Sequence, residues 1–312
     1  QSASVAFNRP ARPRGPAMIS NSYTDPINTA FAQGRNAPLY DFTDNITKLS
    51  GKHTLKAGYT FRRVLQYGYN DAGIFPNYNL STANGNVPAV GPTTGISSAD
   101  LQRFQNLYND LLGRVSSVAV TFYSDLEKFQ PAGTGRVRDF LFWDHSFFFQ
   151  DDWKVNRNFT LNLGVRYELF GPPTELSGFQ GTVDALDRIN TTANIDNMRV
   201  VKQPKYYDRD RKDFAPRFGF AWDPSGNGKM AIRGAYGIYY DRIIGATTSL
   251  VDGNTPGFSQ GVSTFPNSAS GADFRISTLP SNLIPQQPAT VPLSPATNRL
   301  VSIVLFPQKL KS

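Results

Sequence analysis

Gly226-Asn227-Gly228-Lys229-Met230-Ala231 fits the pattern G-x-G-x-x-A. In a dinucleotide site that pattern turns a strand into a helix, whose N-terminus holds a pyrophosphate. Here the following residues alternate instead. Ile232, Tyr236, Ile238 and Tyr240 fall on one side, and Ala231, Arg233, Ala235, Gly237 and Tyr239 on the other. That is a strand's period, not a helix's. A Walker loop fails as well, because Asp223 replaces its first glycine and Met230 its Ser or Thr.

Other candidate chemistry is equally thin. Asp208-Arg209-Asp210-Arg211-Lys212-Asp213 offers carboxylates for a cation or a patch for a ligand, but reads first as a solvated loop of mixed charge. Asp151 and Asp152 are paired carboxylates, yet neighbouring strand residues point to opposite faces, so they cannot share a proton. His53 adjoins a turn and His145 precedes a strand. Two histidines and no cysteine exclude a multi-histidine site, a thiolate metal site and a Cys nucleophile. No catalytic, cofactor-binding or metal-binding residue is assigned, no cofactor is expected, and the chain is not expected to be an enzyme.

The net charge of +8 is spread along the chain, densest in the Pro-rich stretch 9–14. With no helix-turn-helix, zinc or RNA-recognition signature, nucleic acid is not an expected partner. No run reaches the 18 or so apolar residues of a membrane helix. Gln1 opens a polar, Pro-rich stretch with no signal peptide. Charged residues are low at 18%, aromatics high at 13%, and 26 Gly and 22 Pro promise many turns.

The elements that must carry these residues are hairpins. Alternating segments flank short polar turns in three places, near 40–63, 146–170 and 214–241. Leu55, Ala57, Tyr59 and Phe61 oppose Lys56, Gly58, Thr60 and Arg62. Phe159, Leu161, Leu163, Val165 and Tyr167 oppose Thr160, Asn162, Gly164, Arg166 and Glu168. Phe214, Phe218, Phe220 and Trp222 oppose Ala215, Arg217, Gly219 and Ala221. Asp44, Asp151 and Asp152 interrupt the first strand of their hairpins. Long loops are expected at 1–39, 64–139, 171–213 and 242–312, with one short helix capped by Ser97 or Ser98 and striped by Leu101, Phe104, Leu107, Tyr108, Leu111 and Leu112. That helix is expected to pack on the barrel mouth, or else to clamp a ligand. Short turns at one end and long loops at the other are the asymmetry of outer-membrane barrels.

The fold class this predicts is all-β: an antiparallel transmembrane β-barrel segment of about six to eight strands from a larger barrel. Arg62, Arg166, Glu168, Arg217 and Arg233 should face the lumen, since an Arg facing lipid at mid-bilayer costs about 2–4 kcal/mol. Gly58, Gly164, Gly219 and Gly237 share their face and should leave room inside. Trp153, Tyr167, Trp222, Tyr236 and Tyr240 are the candidate membrane-interface aromatics. Short extra strands are possible at 115–122 and 140–143. Six strands cannot close a barrel, so the chain is expected to be a middle section. A soluble surface β-sandwich binding glycans remains the alternative that alternation alone leaves open, and a passive porin is another.

FFFQDDWKVNRNFTLNLGVRYELFGPPTE (147–175) resembles a barrel hairpin of TonB-dependent receptors, particularly the Oar-like group. DNITKLSGKHTLKAGYTFRR (44–63) resembles an earlier hairpin of that group, and FAPRFGFAWDPSGNGKMAIRGAYGIYYDR (214–242) the next. The resemblance implies a barrel of about 22 strands, a plug domain and a TonB box, neither of which is seen in this sequence. It implies ligand uptake in the outer membrane of a Gram-negative-type bacterium. Partners would be outer-membrane lipid and lipopolysaccharide, the TonB complex through parts missing here, and an unknown ligand.

Overall fold

The computed structural model describes residues 17–19, 32–92, 94–184, 199–243, 245–268, 272–293 and 304–306. The chain divides into two compact units, Gln1–Arg35, Gly68–Val137 and Pro256–Leu293 in one, Asn36–Tyr67, Arg138–Thr255 and Ser294–Ser312 in the other.

An eight-stranded sheet holds the three hairpins, while β10 (Gly181–Val183) and β11 (Val200–Lys202) pair as a separate antiparallel ribbon. The strands of the large sheet are β2 (Gln33–Asn36), β3 (Leu39–Ser50), β4 (His53–Asn70), β7 (Arg136–Lys154), β8 (Phe159–Phe170), β9 (Thr174–Glu175), β12 (Phe214–Trp222) and β13 (Ile232–Gly237). The long strands pair in chain order, β3-β4-β7-β8-β12-β13, with antiparallel registers throughout the hairpins. β8 and β12 join consecutive hairpins through nine residue pairs, from Tyr167 opposite Phe214 to Phe159 opposite Trp222. Such a meander is the wall of an up-and-down barrel.

Turn chemistry sets the registers. Gly51, at φ 60°, begins the two-residue loop of β3–β4, where a primed turn requires positive φ. The β12–β13 turn is built on Asp223, whose carboxylate accepts backbone N–H bonds from Ser225, Gly226 and Gly228 at 3.2, 2.9 and 2.7 Å. The Gly228 bond, helped by those from Gly226 and Ser225, holds the Asp223 carboxyl below its ordinary value, with slight burial opposing. A depressed pKa means stability present above the unfolded value, about 3.9, and lost as pH falls through the folded one. The Gly228 amide resonance is therefore expected to titrate below about pH 3.9, and to stop doing so in Asp223→Asn.

β4 and β7 run further than the hairpins expected from sequence, so 140–143 belongs to β7 and His145 lies inside it. Here the inward side of β7 turns apolar. Phe140 and Phe142 pack with Tyr206, Val251 and Phe306, and with Val64 and Tyr207. Burial, aided by Asp144, pushes the Tyr207 phenol up to about 12. A second helix, α2 (Gly245–Gly253), was not expected, because GATTSLVDG reads as a turn-rich loop. It is held by Asp252, 0% exposed, which takes two bonds of 3.0 and 3.1 Å from Arg138 Nε.

The other unit corrects the expectation of long loops. Parts of 1–39, 64–139 and 242–312 form a four-stranded sheet, β1 (Ala17–Ile19), β5 (Asn77–Asn79), β6 (Ser117–Tyr123) and β14 (Ser259–Thr264), in that order. Most of the stretch 115–122 is thus a strand, from Ser117 onward, but of this sheet. Leu80, Val115 and Val118 form one small core and Val120, Phe122 and Phe129 another. The helix α1 (Ser98–Leu112) is capped by Ser97, whose side chain accepts from Asp100 N at 3.1 Å, and closed by Gly113 at φ 65°. Its apolar stripe is not packed as expected: Leu107 and Leu111 are exposed, and Asn109 is buried instead.

Asn109 explains how irregular chain folds here. Its amide donates to Ser81 O at 3.3 Å and Asn86 O at 2.8 Å, and its oxygen accepts from Arg114 Nε at 3.1 Å. Arg114 also pairs with Asp273. Backbone groups that no ladder satisfies are satisfied by buried amides. Asn109→Ala is expected to cost about 2–4 kcal/mol by orphaning these partners, read as a lower unfolding temperature of this unit with the wall intact.

Candidate functional site

The sheet of the second unit has two chemically opposite faces. One carries Leu161, Leu163, Val165, Phe147, Phe149, Phe218 and Trp222, and this large apolar face is left open: Leu163 is 40% and Phe218 45% exposed. Aromatic contacts lie along it in two rows. Tyr59 meets Phe147 at 4.8 Å and Tyr167 meets Phe214 at 4.6 Å toward the outer end. His53 stacks on Trp153 at 5.3 Å and Phe159 meets Phe220 at 6.4 Å by the short turns, where Trp222 pairs with Phe159. Phe159 and Tyr167 are eight residues apart on β8. At about 3.4 Å per residue and a tilt near 40°, that is about 20 Å of height, close to the apolar band of an outer-membrane strand.

The opposite face is polar and mostly charge-balanced. Lys56 Nζ bonds Asp152 at 2.6 Å, and Asp152 also accepts from Gln150 at 2.7 Å and Asn162 at 2.6 Å. Arg62 pairs with Asp41 at 2.9 Å, and Arg166 with Glu168. Asp151 points the other way, to His53 Nδ1 at 2.7 Å, so the two adjacent aspartates are indeed on opposite faces. Gly58 does not leave open room: a Cβ there would collide with Asn45 and Phe148.

Balance ends at β12 and β13. Arg217 stacks on the Tyr239 ring at 4.7 Å, and neither Arg217 nor Arg233 has an ion-pair partner among the described residues. Both line a cavity of about 380 Å³ with Gln150, Asn162, Gly219 and Tyr239. Gly164 and Gly237 flank Arg217 in its row, and Gly219 lies between Asn162 and Ala235, so no bulky side chain stands directly beside Arg217 or Asn162 on β12 or its neighbours. Two unpaired guanidiniums beside amides and a phenol suit an anionic or hydroxyl-rich ligand.

The sequence-stated residues fall as follows. Arg62, Arg166, Glu168, Arg217 and Arg233 share the polar face by register. Trp153, Tyr167 and Trp222 lie in the aromatic rows. Tyr236 is 70% exposed on the apolar face, but in register with Phe218 and Leu163 and so midway between Phe159 and Tyr167 on the ladder. β13 ends at Gly237, so Tyr240 lies beyond it: Ile238 N still donates to Pro216 O at 3.1 Å, but proline has no N–H to return the bond. The carboxylates of 208–213 do not gather: Asp208 pairs with Lys205 at 2.5 Å, Asp210 accepts from Lys212 N, and Asp213 is buried. No metal-binding cluster exists among the described residues. Sequence reading missed Gln150 and Asn162 as cavity residues; alternation marked their face, but only the register brings them beside Arg217.

A sheet with a solvent-open apolar face, aromatic rows at both limits and a charged reverse is the wall of a membrane β-barrel. A family model described as outer membrane beta barrel domain matches residues 3–312, and the chain belongs to that family, an outer-membrane β-barrel of the outer membrane. No curated protein and no solved structure matches the chain.

Proposed function

We propose that the chain forms wall and extracellular structure of a TonB-dependent transporter. The observation that carries the reading is the basic cavity of Arg217 and Arg233 on the lumen face, an inward site for an anionic or hydroxyl-rich ligand. The likeness of the three hairpins to Oar-like receptors supports it. So does the sheet's openness: among the described residues β3 and β13 each have one uncovered edge. An open edge in lipid leaves each backbone group unpaired at several kcal/mol, so further strands must seal it, as in a larger barrel.

Two recordings on the full-length protein test this. In planar bilayers a plugged transporter conducts no steady current. In whole cells, formaldehyde links it to the TonB energy transducer. Steady conductance with no TonB adduct would instead establish a passive porin.

A further inference from the structure

The basic cavity also holds a pair of amides whose polarity is fixed from behind. Asp152 Oδ2 accepts from Lys56 Nζ at 2.6 Å, and its Oδ1 accepts from Gln150 Nε2 at 2.7 Å and Asn162 Nδ2 at 2.6 Å. A carboxylate held in an ion pair can only accept, so both NH2 groups must turn to Asp152. Both carbonyl oxygens are then left as acceptors, and no donor meets either among the described residues. Asn162 Oδ1 lies 3.6 Å from the point that a Cβ on Gly219 would occupy, so it stands over the cavity floor.

The arginines face these amides across the ladder. Arg217 is in register with Gly164, and Gly164 with Gln150. Asn162 is in register with Gly219, and Gly219 with Ala235. Arg233 is opposite Ala221, four positions along the ladder from Arg217, about 14 Å at ordinary strand rise. Between the two arginines this face of β12 and β13 carries only Gly and Ala. The slot therefore has amide acceptors along one side, a guanidinium at each end of the other, and a smooth floor.

Charge and length choose among ligands. Lys56 cancels Asp152, and Arg166 is paired with Glu168, while Lys154, in the row of Arg233, adds a further cation. An ammonium group could donate to the amide oxygens but would enter this field against repulsion; a neutral hydroxyl would not. The span between the arginine positions is longer than one small anion or one sugar ring. We propose that the slot binds an acidic oligosaccharide, with uronate carboxylates on Arg217 and Arg233 and ring hydroxyls donating to Gln150 Oε1 and Asn162 Oδ1. Asp152 is then a positioning residue, which touches no ligand but makes the amides accept. The proposal rests on the reading of this cavity as an inward transport site.

The test titrates full-length protein in detergent by calorimetry with trigalacturonate, and with trimesate, a benzene tricarboxylate that has no hydroxyls. The wild type should bind trigalacturonate about tenfold more tightly than trimesate, or better. R217Q/R233Q should weaken both. D152N frees the amides to turn, so it should weaken trigalacturonate about tenfold, while trimesate binds as before or more tightly because a nearby negative charge is gone. N162L removes one acceptor and leaves Asp152 its ion pair, and should also weaken trigalacturonate alone. Loss of structure would instead weaken both compounds alike. Equal binding of the two compounds by the wild type, or equal loss of both in D152N and N162L, overturns the proposal. The TonB adduct is scored on the same protein in cells. An adduct with no preference for trigalacturonate overturns the ligand class and leaves the transporter standing. A preference for trigalacturonate without an adduct retains the slot and overturns the transporter.

Discussion

Arg138→Ala is expected to destabilise the outer part of the wall by about 3–5 kcal/mol, the cost of leaving one member of a buried ion pair without its partner. Asp252 is fully buried and Arg138 nearly so, at 0% and 6% exposure. Removing the guanidinium strands a carboxylate in the helix that packs near Phe140 and Phe142. Replacing both by apolar residues, Arg138→Met with Asp252→Leu, should recover most of the loss, because no uncompensated charge then remains. Limited proteolysis of folded protein reads the effect: cleavage in 245–253 rises in R138A and falls back in the double variant, while the membrane-spanning ladder of β7 and β8 stays protected. Equal cleavage in R138A and wild type would show that the pair is not what holds α2.

The second large effect is on the apolar face. Leu163→Arg is expected to cost about 2–4 kcal/mol, the measured scale for a basic residue facing mid-bilayer lipid. The adjacent residue Asn162 points to the polar side, beside Asp152. Asn162→Arg places the same charge one residue away on the aqueous face, and should cost far less. Urea unfolding of the folded protein in vesicles gives both values. A sandwich core would also penalise Leu163→Arg, through packing, but that penalty would not respond to bilayer composition. In the barrel wall the Leu163→Arg penalty should shrink in thinner bilayers, where the guanidinium reaches the interface sooner.

Alternation made the wall legible. In β8 every second residue from Phe159 to Tyr167 is apolar, and side-chain direction follows from backbone geometry alone. The facing of Asp151 and Asp152 followed from the same rule. Turns were legible where Gly and Asn mark them, as at Gly51 and Gly226. What escaped was structure made by contacts remote in sequence. Asn86 sits in Gly- and Asn-rich chain with no periodicity, and Asn109 lies in a helix whose apolar stripe pointed elsewhere; their burial depends on Ser81, Arg114 and Asn267 meeting them. The helix α2 escaped because its helix-holding charge, Asp252, finds its partner 114 residues away. The cavity was half legible: Arg217 and Arg233 were placed on the lumen face, but that both lack carboxylate partners, while Arg62 and Arg166 have theirs, is a matter of which strands adjoin. The loop 208–213 read as solvated mixed charge because nothing in its own sequence announces Trp143, whose ring Arg209 covers at 4.0 Å.

The absence of cysteine from the chain makes the central claim directly measurable. Single cysteines at Leu161, Asn162, Leu163, Gly164, Val165 and Arg166 of the full-length protein, in outer-membrane vesicles, should react alternately. A membrane-impermeant, water-soluble maleimide entering through the lumen should label positions 162, 164 and 166, and a lipid-soluble one positions 161, 163 and 165. Uniform labelling by the water-soluble reagent, or the inverse alternation, would contradict a wall whose apolar face meets lipid.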